Sequence, residues 1–434
     1  MNRVIEALVD VATQASFRSV EVRRAEPEPR GPVLVVANHG GGLGDILTVI
    51  AGSRRFPRFL ARDIIWRFPI ARQVMDAVRA IPVSRRQDHG SAADNTGMFD
   101  AAYAGLQEDD LLAIYPEGES VPEPRLAPLR TGAARILLGA WERGVDTAIL
   151  PMGLHYFDIS VLRGRCLVQV GPPVLMSALV PGLPSDQPLT PDNHEAVQAL
   201  TAVIADRLGD VVAEYADWDQ RREYETAAAV YLIGHTDTSA VSYSDLATTA
   251  ELISRADPAL QREVRTRVKA YTAQVELLGV RDNEVPDLAL TGVEAAGRAA
   301  RVAAMVPLAT YGLAVNGLPM AGLRLISMSG VAPATAASLK PAFALIGFPA
   351  VWAALGWWGY RRAGIRGAVT VAATGPAGLA AAVRVAEQGQ LLFLIARAYR
   401  RANGTLLEQF EHARDDLRDT VAAALATAAR PADR

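Results

Sequence analysis

Cysteine, histidine and net charge are all scarce in this sequence. Its 434 residues include one cysteine, Cys166, and six histidines that are scattered along the chain. A single thiol cannot form an internal disulfide, which fits a reducing compartment. A metal site needs three or four convergent ligands, and the histidines are scattered along the chain, so we predict no metal site. The formal net charge of −3 does not suit a nucleic-acid-binding protein, and we expect no nucleic acid partner.

Several well-known motifs are missing as well. The sequence has no Gly-x-Ser-x-Gly elbow, no phosphate-binding loop and no dinucleotide fingerprint. The missing elbow argues against a serine hydrolase, because that turn exposes the nucleophile. The missing glycine motifs leave nothing in favour of a nucleotide cofactor, so we predict that no cofactor is needed.

Hydrophobic residues, by contrast, are abundant. They make up 50% of the chain, and the mean hydropathy is +0.13. The excess lies in three uncharged runs at 302–323, 341–360 and 367–383. A helix of about 20 residues spans the hydrocarbon core of a bilayer. These runs predict helices that cross a membrane or lie in its surface, with a buried helical bundle as the alternative.

The first half of the chain alternates strand and helix patterns. Apolar strands are predicted at 33–37, 58–61, 80–84, 111–115, 148–154 and 166–170, with helices at 45–52, 64–78, 91–107 and 131–143. This alternation is typical of an α/β fold in which helices flank a mixed, mostly parallel sheet. Active sites in such sheets gather at the carboxyl ends of the strands.

The whole chain divides into five predicted regions. Residues 1–18 have apolar side chains at helical spacing, interrupted by Glu6 and Asp10, which predicts an amphipathic helix rather than a signal peptide. An α/β domain follows at 19–180, and prolines mark a linker after it. A helical region is predicted at 192–300, membrane-associated hydrophobic helices at 301–400, and a charged helical tail at 401–434.

His39 and Asp45 lie where the strand at 33–37 gives way to a glycine-rich loop. Histidine is the side chain best suited to accept a proton near neutral pH. A carboxylate nearby can hold the ring in one tautomer and stabilise its charged form. The pair therefore predicts an enzyme that activates a hydroxyl. A solvated loop, or a helix N-cap in which Asp45 accepts backbone N–H groups, is the structural alternative.

Three later segments also place polar residues at strand ends. Arg85 follows the strand at 80–84, and an arginine binds phosphate through its planar fork of donors. Glu117 and Gly118 follow the strand at 111–115 in a Pro-Glu-Gly turn. Arg130 precedes a predicted helix whose N-terminus favours anions. A surface arginine and an ordinary turn are the alternative interpretations. The apolar strand near 150 carries His155, which we expect to be structural.

In this order the segments resemble the four conserved blocks of the glycerolipid acyltransferase superfamily. The blocks are Asn38-His39 with Asp45, Ile81-Pro-Val-Ser-Arg85, Tyr115-Pro-Glu-Gly118 and Leu150-Pro-Met-Gly153. The superfamily includes glycerol-3-phosphate and 1-acylglycerol-3-phosphate acyltransferases. Four blocks in order within one α/β unit make a specific match, and it covers residues 33–173.

The sequence departs from the common pattern of that superfamily in two places. Five residues separate His39 from Asp45, where four are usual. A fifth residue would rotate a helix by about 100°, but a glycine loop can absorb it. This spacing resembles the branch of glycerol-3-phosphate/dihydroxyacetone-phosphate acyltransferases. Glu119-Ser120 stands where many members have Thr-Arg, so we expect Arg85 and Arg130 to meet the phosphate charge instead.

The resemblance implies direct transfer of a fatty acyl group in phospholipid synthesis. His39 would take a proton from the acceptor hydroxyl while Asp45 orients the imidazole. The donor would be acyl-CoA or an acylated carrier protein, and the acceptor glycerol 3-phosphate or 1-acylglycerol 3-phosphate. Glu117 and Gly118 would shape the acceptor pocket. Two alternatives remain open: another hydroxylated lipid as acceptor, or a catalytically silent lipid-binding member.

Basic residues flank the apolar runs unevenly. Arginines precede the first run and follow the second, and only Arg324 and Lys340 lie between the two. By the positive-inside rule, two crossings would leave both outer flanks in the cytoplasm. We therefore expect a cell-membrane protein whose catalytic domain faces the cytoplasm.

Overall fold

A computed structural model of the chain describes most of its length. The described residues are 9, 12–13, 16–85, 89–90, 94–120, 123–157, 164–184, 186–233, 241–278, 292–331, 333–401 and 404–428. The amphipathic helix predicted at 1–18 therefore falls mostly outside the described residues. The chain divides into two compact units, Met1–Glu214 with Ala332–Pro341, and Tyr215–Val331 with Ala342–Arg434. The domain limits given above stay predictions.

The first unit is built on one sheet, which has eight strands in the described part of the chain. They are β1 Phe17–Arg24, β2 Val33–Ala37, β3 Arg58–Arg62, β4 Ile81–Val83, β5 Leu111–Ile114, β6 Ala148–Tyr156, β7 Gly164–Val170 and β8 Val174–Leu175. The order across the sheet is β1-β7-β6-β2-β5-β3-β4, and β8 pairs with β6. β6 runs antiparallel to β7 and β8, and the other pairs are parallel. The predicted mixed, mostly parallel sheet is confirmed.

Helices connect the strands of this unit. They are α1 Leu43–Gly52, α2 Pro69–Ala77, α3 Thr96–Gln107, α4 Gly132–Glu142, the short α5 Met176–Leu179 and α6 His194–Gly209. A 3-10 turn at Asp63–Arg67 precedes α2, and Pro69 starts that helix because its fixed φ suits the first helical position. The helix predicted at 64–78 is therefore two elements rather than one.

The central strands form the core because both faces of the sheet are covered. All five residues of β2 and all nine of β6 are buried. Residues such as Leu34 and Ile149 pack with α3, α4 and α6 on one face, while Val35 and Leu150 pack on the opposite face, where α1 lies. Strands buried on both faces have continuous apolar sequences. This packing holds the carboxyl end of β2 rigidly beside its neighbours.

The second unit is helical. Its helices are α7 Trp218–Ile233, α8 Tyr243–Ser254, α9 Pro258–Leu278, α10 Gly292–Met328, α11 Pro333–Arg401 and α12 Gly404–Ala428. The start of α11, up to Pro341, belongs to the first unit. α7, α8, α9 and α12 pack together around the fully buried tyrosines Tyr224, Tyr243 and Tyr271. α11 is kinked, because Ala363 and Gly364 have non-helical backbone angles.

Two helical stretches of this unit are long and apolar enough to cross a membrane. They are Ala296–Met328 and Ile346–Gln390, and only 22% of each apolar window is buried. Asn316 is fully buried between these stretches, where its side chain accepts a hydrogen bond from Trp352 Nε1 (2.8 Å) and donates to the Gly375 carbonyl (3.2 Å). Long apolar helices that stay exposed and join through a buried amide are typical of membrane-associated proteins. The coarse prediction of membrane association is supported.

Candidate active site

The residue before His39 anchors the end of β2 to β6. Asn38 Nδ2 donates to the Leu154 carbonyl (3.1 Å), and the Leu154 amide donates to Asn38 Oδ1 (2.7 Å). The asparagine side chain thus imitates one more peptide unit of the sheet after the backbone pairing has ended. His39 therefore leaves the sheet from a fixed point at the carboxyl edge.

His39 and Asp45 form a hydrogen-bonded pair. The His39 Nδ1–Asp45 Oδ2 distance is 2.7 Å, and the two side chains are 17% and 0% exposed. Because the buried carboxylate accepts hydrogen bonds, it places the ring proton on Nδ1. The Nε2 lone pair is then left to accept a proton. A catalytically silent protein would be favoured by a His39–Asp45 distance too long for a hydrogen bond. The observed distance therefore argues against that alternative.

The Asp45 carboxylate is itself held by several donors. The Gly41 amide donates to both of its oxygens, at 3.1 and 2.9 Å, and the Tyr156 hydroxyl donates to Oδ1. Burial, followed by the nearby Asp45 charge, raises the pKa of Tyr156 well above its usual value, so the phenol stays protonated as a donor. A carboxylate with this many donors cannot rotate away from the imidazole.

Glycines accommodate the additional residue between His39 and Asp45. Gly42, the N-cap of α1, has φ 60° and ψ −123°, a conformation essentially restricted to glycine. A Cβ on Gly41 would lie 2.5 Å from Asp45 Oδ1 and 2.7 Å from the Tyr156 ring. Asp45 consequently falls in the first turn of α1 with its carboxylate directed back at the imidazole.

Tyr115 lies against the ring of His39. The ring centroids are 4.3 Å apart and the planes differ by 14°. The buried Tyr115 hydroxyl has no hydrogen-bond partner among the described residues. Burial, and then the charge of Asp45, raises the pKa of this phenol well above its usual value. The stacked ring fixes the plane of the imidazole, and an electron-rich face favours a ring that becomes positively charged.

The Glu117 carboxylate binds backbone amides of two loops. Its Oε1 accepts from the His39 amide (2.6 Å) and its Oε2 from the Ala127 amide (3.3 Å). The side chain is buried, and burial raises the pKa of this carboxyl, while the amide donors and the neighbouring His39 partly oppose the rise. Glu117 thus connects the loop after β2 with the segment that leads to α4.

Arg130 covers the Pro-Glu-Gly turn. Its amide donates to the Pro116 carbonyl (2.7 Å) and its Nε to the Glu117 carbonyl (3.3 Å). Gly118 has φ +77°, and a Cβ there would lie 2.5 Å from Arg130 Cδ. The arginine side chain is 63% exposed, with its guanidinium 3.7 Å from the exposed carboxylate of Glu119. A cation is therefore held at the turn with its guanidinium facing solvent.

Arg85 lies further along the sheet. It follows β4, which is three strand positions from β2, or about 14 Å at ordinary strand spacing. The residue before it is held tightly: Ser84 Oγ donates to Asp63 Oδ2 (2.7 Å), and Ser84 exchanges two 2.9 Å hydrogen bonds with the Asn95 side chain. His89 Nε2 also lies 2.8 Å from Asp63. The arginine thus starts from a fixed backbone position.

Gly153 of the fourth block and His155, two residues after that block, both lie against the Val211 carbonyl. A Cβ on Gly153 would lie 1.8 Å from the Val211 carbonyl oxygen. His155 Nε2 lies 2.8 Å from that same oxygen and is buried. These contacts fit the structural role expected for His155.

The structure thus brings most of the predicted site residues together. His39, Asp45, Glu117, Gly118 and Arg130 surround the ends of β2 and β5, and Arg85 lies at the β4 edge. Sequence reasoning missed the contacts of Tyr115 and Tyr156 with the His–Asp pair. Within the described residues, no group of three or more possible ligands is placed to hold a metal ion. The arrangement is a buried acid, an oriented base and nearby cations, which suits proton transfer from an alcohol.

Comparison with known proteins agrees with this class of site. Residues 19–155 match the family model Acyltransferase. The matched segment of the first unit, which we call the acyltransferase-like domain, begins at β1 and ends within β6. The resemblance inferred from the four blocks is confirmed at the level of this domain.

Two named relatives match the chain at modest identity. Glycerol-3-phosphate O-acyltransferase 2 of Saccharomyces cerevisiae is 25% identical over 215 residues, which cover 46% of this chain and 27% of that protein. Glycerol-3-phosphate O-acyltransferase 1 of the same yeast is 25% identical over 147 residues, which cover 33% of this chain and 19% of that protein. The chain thus matches only about a quarter of the length of the first relative and about a fifth of the second.

A solved structure is also similar to part of the chain. The 1-acyl-sn-glycerophosphate acyltransferase PlsC from Thermotoga maritima has a TM-score of 0.34 and 18% identity, over 49% of this chain and 82% of that one. A likeness at this level supports no conclusion about activity.

Proposed function

We propose that the protein is an O-acyltransferase of phospholipid synthesis, with glycerol 3-phosphate or 1-acylglycerol 3-phosphate as the acceptor. The observation that carries this proposal is the 2.7 Å contact between His39 and a fully buried Asp45 within the acyltransferase-like domain. The names of the yeast relatives support glycerol 3-phosphate as the acceptor class. The acyl donor is a thioester, either acyl-CoA or an acylated carrier protein.

The chemistry requires one base and no covalent enzyme intermediate. Nε2 of His39 accepts the acceptor's hydroxyl proton while the oxygen attacks the thioester carbonyl. The C–O bond forms, the C–S bond breaks, and the thiolate leaves with the proton returned from the imidazolium. Asp45, held by its other donors, balances the positive charge that the ring carries in between.

The acceptor phosphate is proposed to bind the arginines at the carboxyl edge of the sheet. Arg130 offers an exposed guanidinium at the turn that Glu117 anchors beside His39. Arg85 approaches from the β4 edge, directly after Ser84, whose amide donates to Asn95 Oδ1 (2.9 Å). Two clamps would hold the hydroxyl within about 3 Å of the base, as efficient proton transfer requires.

The apolar helices are proposed to anchor this enzyme in the cell membrane with the catalytic unit on the cytoplasmic side. Arg298 and Arg301 lie at the start of the first candidate span. Three further arginines, at 361, 362 and 366, lie around the kink of α11. Acyl thioesters are made in the cytoplasm, which suits this orientation.

The test is an acyl-transfer assay on the purified full-length protein in lipid vesicles. Labelled acyl-CoA is offered with glycerol 3-phosphate, dihydroxyacetone phosphate or lysophosphatidate. His39→Ala is expected to slow transfer at least about 100-fold, the usual contribution of a positioned base. His412→Ala is the matched control, because that side chain is 81% exposed in the helical unit. Transfer by His39→Ala at more than about a tenth of the wild-type rate overturns the assignment.

Arg85→Ala and Arg130→Ala separate the two arginines. Loss of a phosphate clamp is expected to raise KM for the phosphorylated acceptor while KM for the acyl donor stays constant. An unchanged acceptor KM in both variants would contradict phosphate recognition by this edge of the sheet. Transfer to a hydroxylated lipid without a phosphate monoester would support the alternative acceptor.

A further inference from the structure

The segment between β3 and β4 forms an amphipathic element on the surface of the first unit. It consists of the 3-10 turn Asp63–Arg67, Phe68, and α2. None of its residues whose burial is described is buried. Other helices of this unit, such as α1 and α4, bury one face against the sheet. α2 therefore contributes little to the core of the sheet.

Apolar side chains of this element are exposed together with its polar ones. Phe68 is 66% exposed and Val74 is 50% exposed. At 100° per residue, Arg72 and Asp76 lie about 160° around α2 from Val74, on the opposite side, and Gln73 lies about 100° from Val74. Trp66 Nε1 donates to Asp76 Oδ1 (2.8 Å), which joins the turn to the helix. The apolar side chains are thus presented by a preformed scaffold.

Positive charge is concentrated around this element. Residues 54–86 contain nine arginines and two aspartates, with no lysine or glutamate, in a chain whose net charge is −3. Arg55, Arg58 and Arg79 pair with carboxylates outside that stretch. Arg67 is exposed on the turn beside Phe68, and no ion pair is formed by it among the described residues. Exposed apolar side chains next to arginines are suited to bind a surface that is both apolar and negatively charged.

We infer that the turn and α2 dock on the surface of an anionic lipid bilayer. Short helices with a charged side and an outward apolar side lie in the bilayer interface, where apolar burial and attraction to anionic lipids act together. A second copy of the chain on this face would bring two arginine-rich surfaces together, and like charges oppose that contact. The inference concerns the catalytic unit itself and does not depend on the proposed reaction.

The strand order places this element beside the proposed active site. The turn begins directly after β3, whose carboxyl end lies between those of β5 and β4. A bilayer that contacts Phe68 therefore lies beside the edge from which Arg85 emerges. Lipid substrates can then reach the site without crossing bulk water.

The single cysteine of the chain allows site-specific labelling. This cysteine, Cys166, is buried, so an introduced surface cysteine reacts selectively. Val74→Cys and Gln73→Cys place an environment-sensitive fluorophore at adjacent positions about 100° apart around α2. Leu318→Cys, at a position 78% exposed on α10, reports whether the full-length protein has been incorporated into vesicles.

The labelled proteins are reconstituted in vesicles of phosphatidylcholine alone or mixed with phosphatidylglycerol. We expect the label at 74 to shift to the blue and to lose fluorescence to nitroxide lipids, most strongly with phosphatidylglycerol. The label at 73 is expected to remain accessible to aqueous iodide. Equal iodide access at 73 and 74, in vesicles whose label at 318 is quenched by nitroxide lipid, would overturn the inference. A blue shift at 74 that depends on protein concentration in detergent would also overturn it, in favour of a second copy.

Discussion

Substitution of Glu117 tests whether this carboxylate positions the base or binds substrate. Sequence reasoning predicts that it shapes the acceptor pocket, whereas both of its oxygens accept hydrogen bonds from backbone amides. If Glu117 positions His39, its removal affects the stability of the site and the rate of transfer. If it binds substrate, its removal affects mainly the KM for the acceptor.

The expected loss of stability follows from the two backbone amides that donate to Glu117. Glu117→Ala leaves the partly buried amides of His39 and Ala127 without their acceptor, at a cost of at most about 1–3 kcal/mol each, or at most about 2–6 kcal/mol in total. Glu117→Gln keeps one acceptor oxygen and turns an NH2 group toward the other amide, so about half of that loss is expected. A base displaced by about 1 Å can lose about 100-fold in rate.

The assay combines thermal unfolding with steady-state kinetics on the full-length protein. We expect both variants to lower the apparent Tm and kcat, Glu117→Ala more than Glu117→Gln, with acceptor KM nearly unchanged. Glu119→Gln is the matched control, because that side chain is 48% exposed. A variant at position 117 that keeps the wild-type Tm and kcat but has a raised acceptor KM would refute the positioning role.

The pH dependence of the same variants gives an independent check. Burial raises the pKa of Glu117, so the folded protein holds this proton more tightly than the unfolded chain does. The stability that the group contributes is therefore present in acid and is lost as pH rises through the folded-state pKa. The deficit of Glu117→Gln relative to wild type is expected to be larger in mildly acidic than in neutral buffer. A pH-independent deficit would contradict this linkage.

Substitutions at three further positions test the rest of the site. Asp45→Asn is expected to lower kcat by about 10³–10⁴-fold, because an amide facing Nδ1 favours the wrong tautomer; a loss below tenfold would contradict the pairing. Tyr115→Phe is expected to keep kcat and Tm, since it removes an unpaired buried hydroxyl, whereas Tyr115→Leu lowers kcat by about threefold to tenfold through loss of ring stacking. Equal effects of the two would refute a stacking role. Gly153→Ala, whose Cβ would lie 1.8 Å from a carbonyl oxygen, is expected to cost about 3 kcal/mol in unfolding measurements. Gly97→Ala, with open space around its Cβ, serves as its control and is expected to be neutral or stabilising.

The central strands were predictable because each is a continuous apolar run. β2, β5 and β6 are buried on both faces, and that environment needs no alternation of polar residues. β1 was not predicted. It is an edge strand of intermediate burial, pairs with β7 alone among the described strands, and contains charged residues along its length. Its sequence therefore lacks the signal by which buried strands are recognised.

The His–Asp pair was predictable from local sequence, and its surroundings were not. His39 and Asp45 share one loop, so their proximity depends on few backbone angles. Tyr156 reaches Asp45 from β6, more than 100 residues later in the chain, and only the register of β2 with β6 brings the two together. The direction of the Glu117 carboxylate depends on the turn that Gly118 forms at φ +77°. Such contacts are properties of the tertiary fold.

The glycine loop that carries the proposed catalytic pair, His39 and Asp45, bears on how similar sequences are recognised. What chemistry requires is a distance of hydrogen-bond length between imidazole and carboxylate, and here five intervening residues achieve it through one backbone conformation that other residues avoid. A pattern search with a rigid four-residue gap would reject this protein although its dyad is intact. A search should therefore accept the additional residue only where a glycine occupies the position of Gly42. A chain that has the longer gap without such a glycine is more apt to have lost the activity.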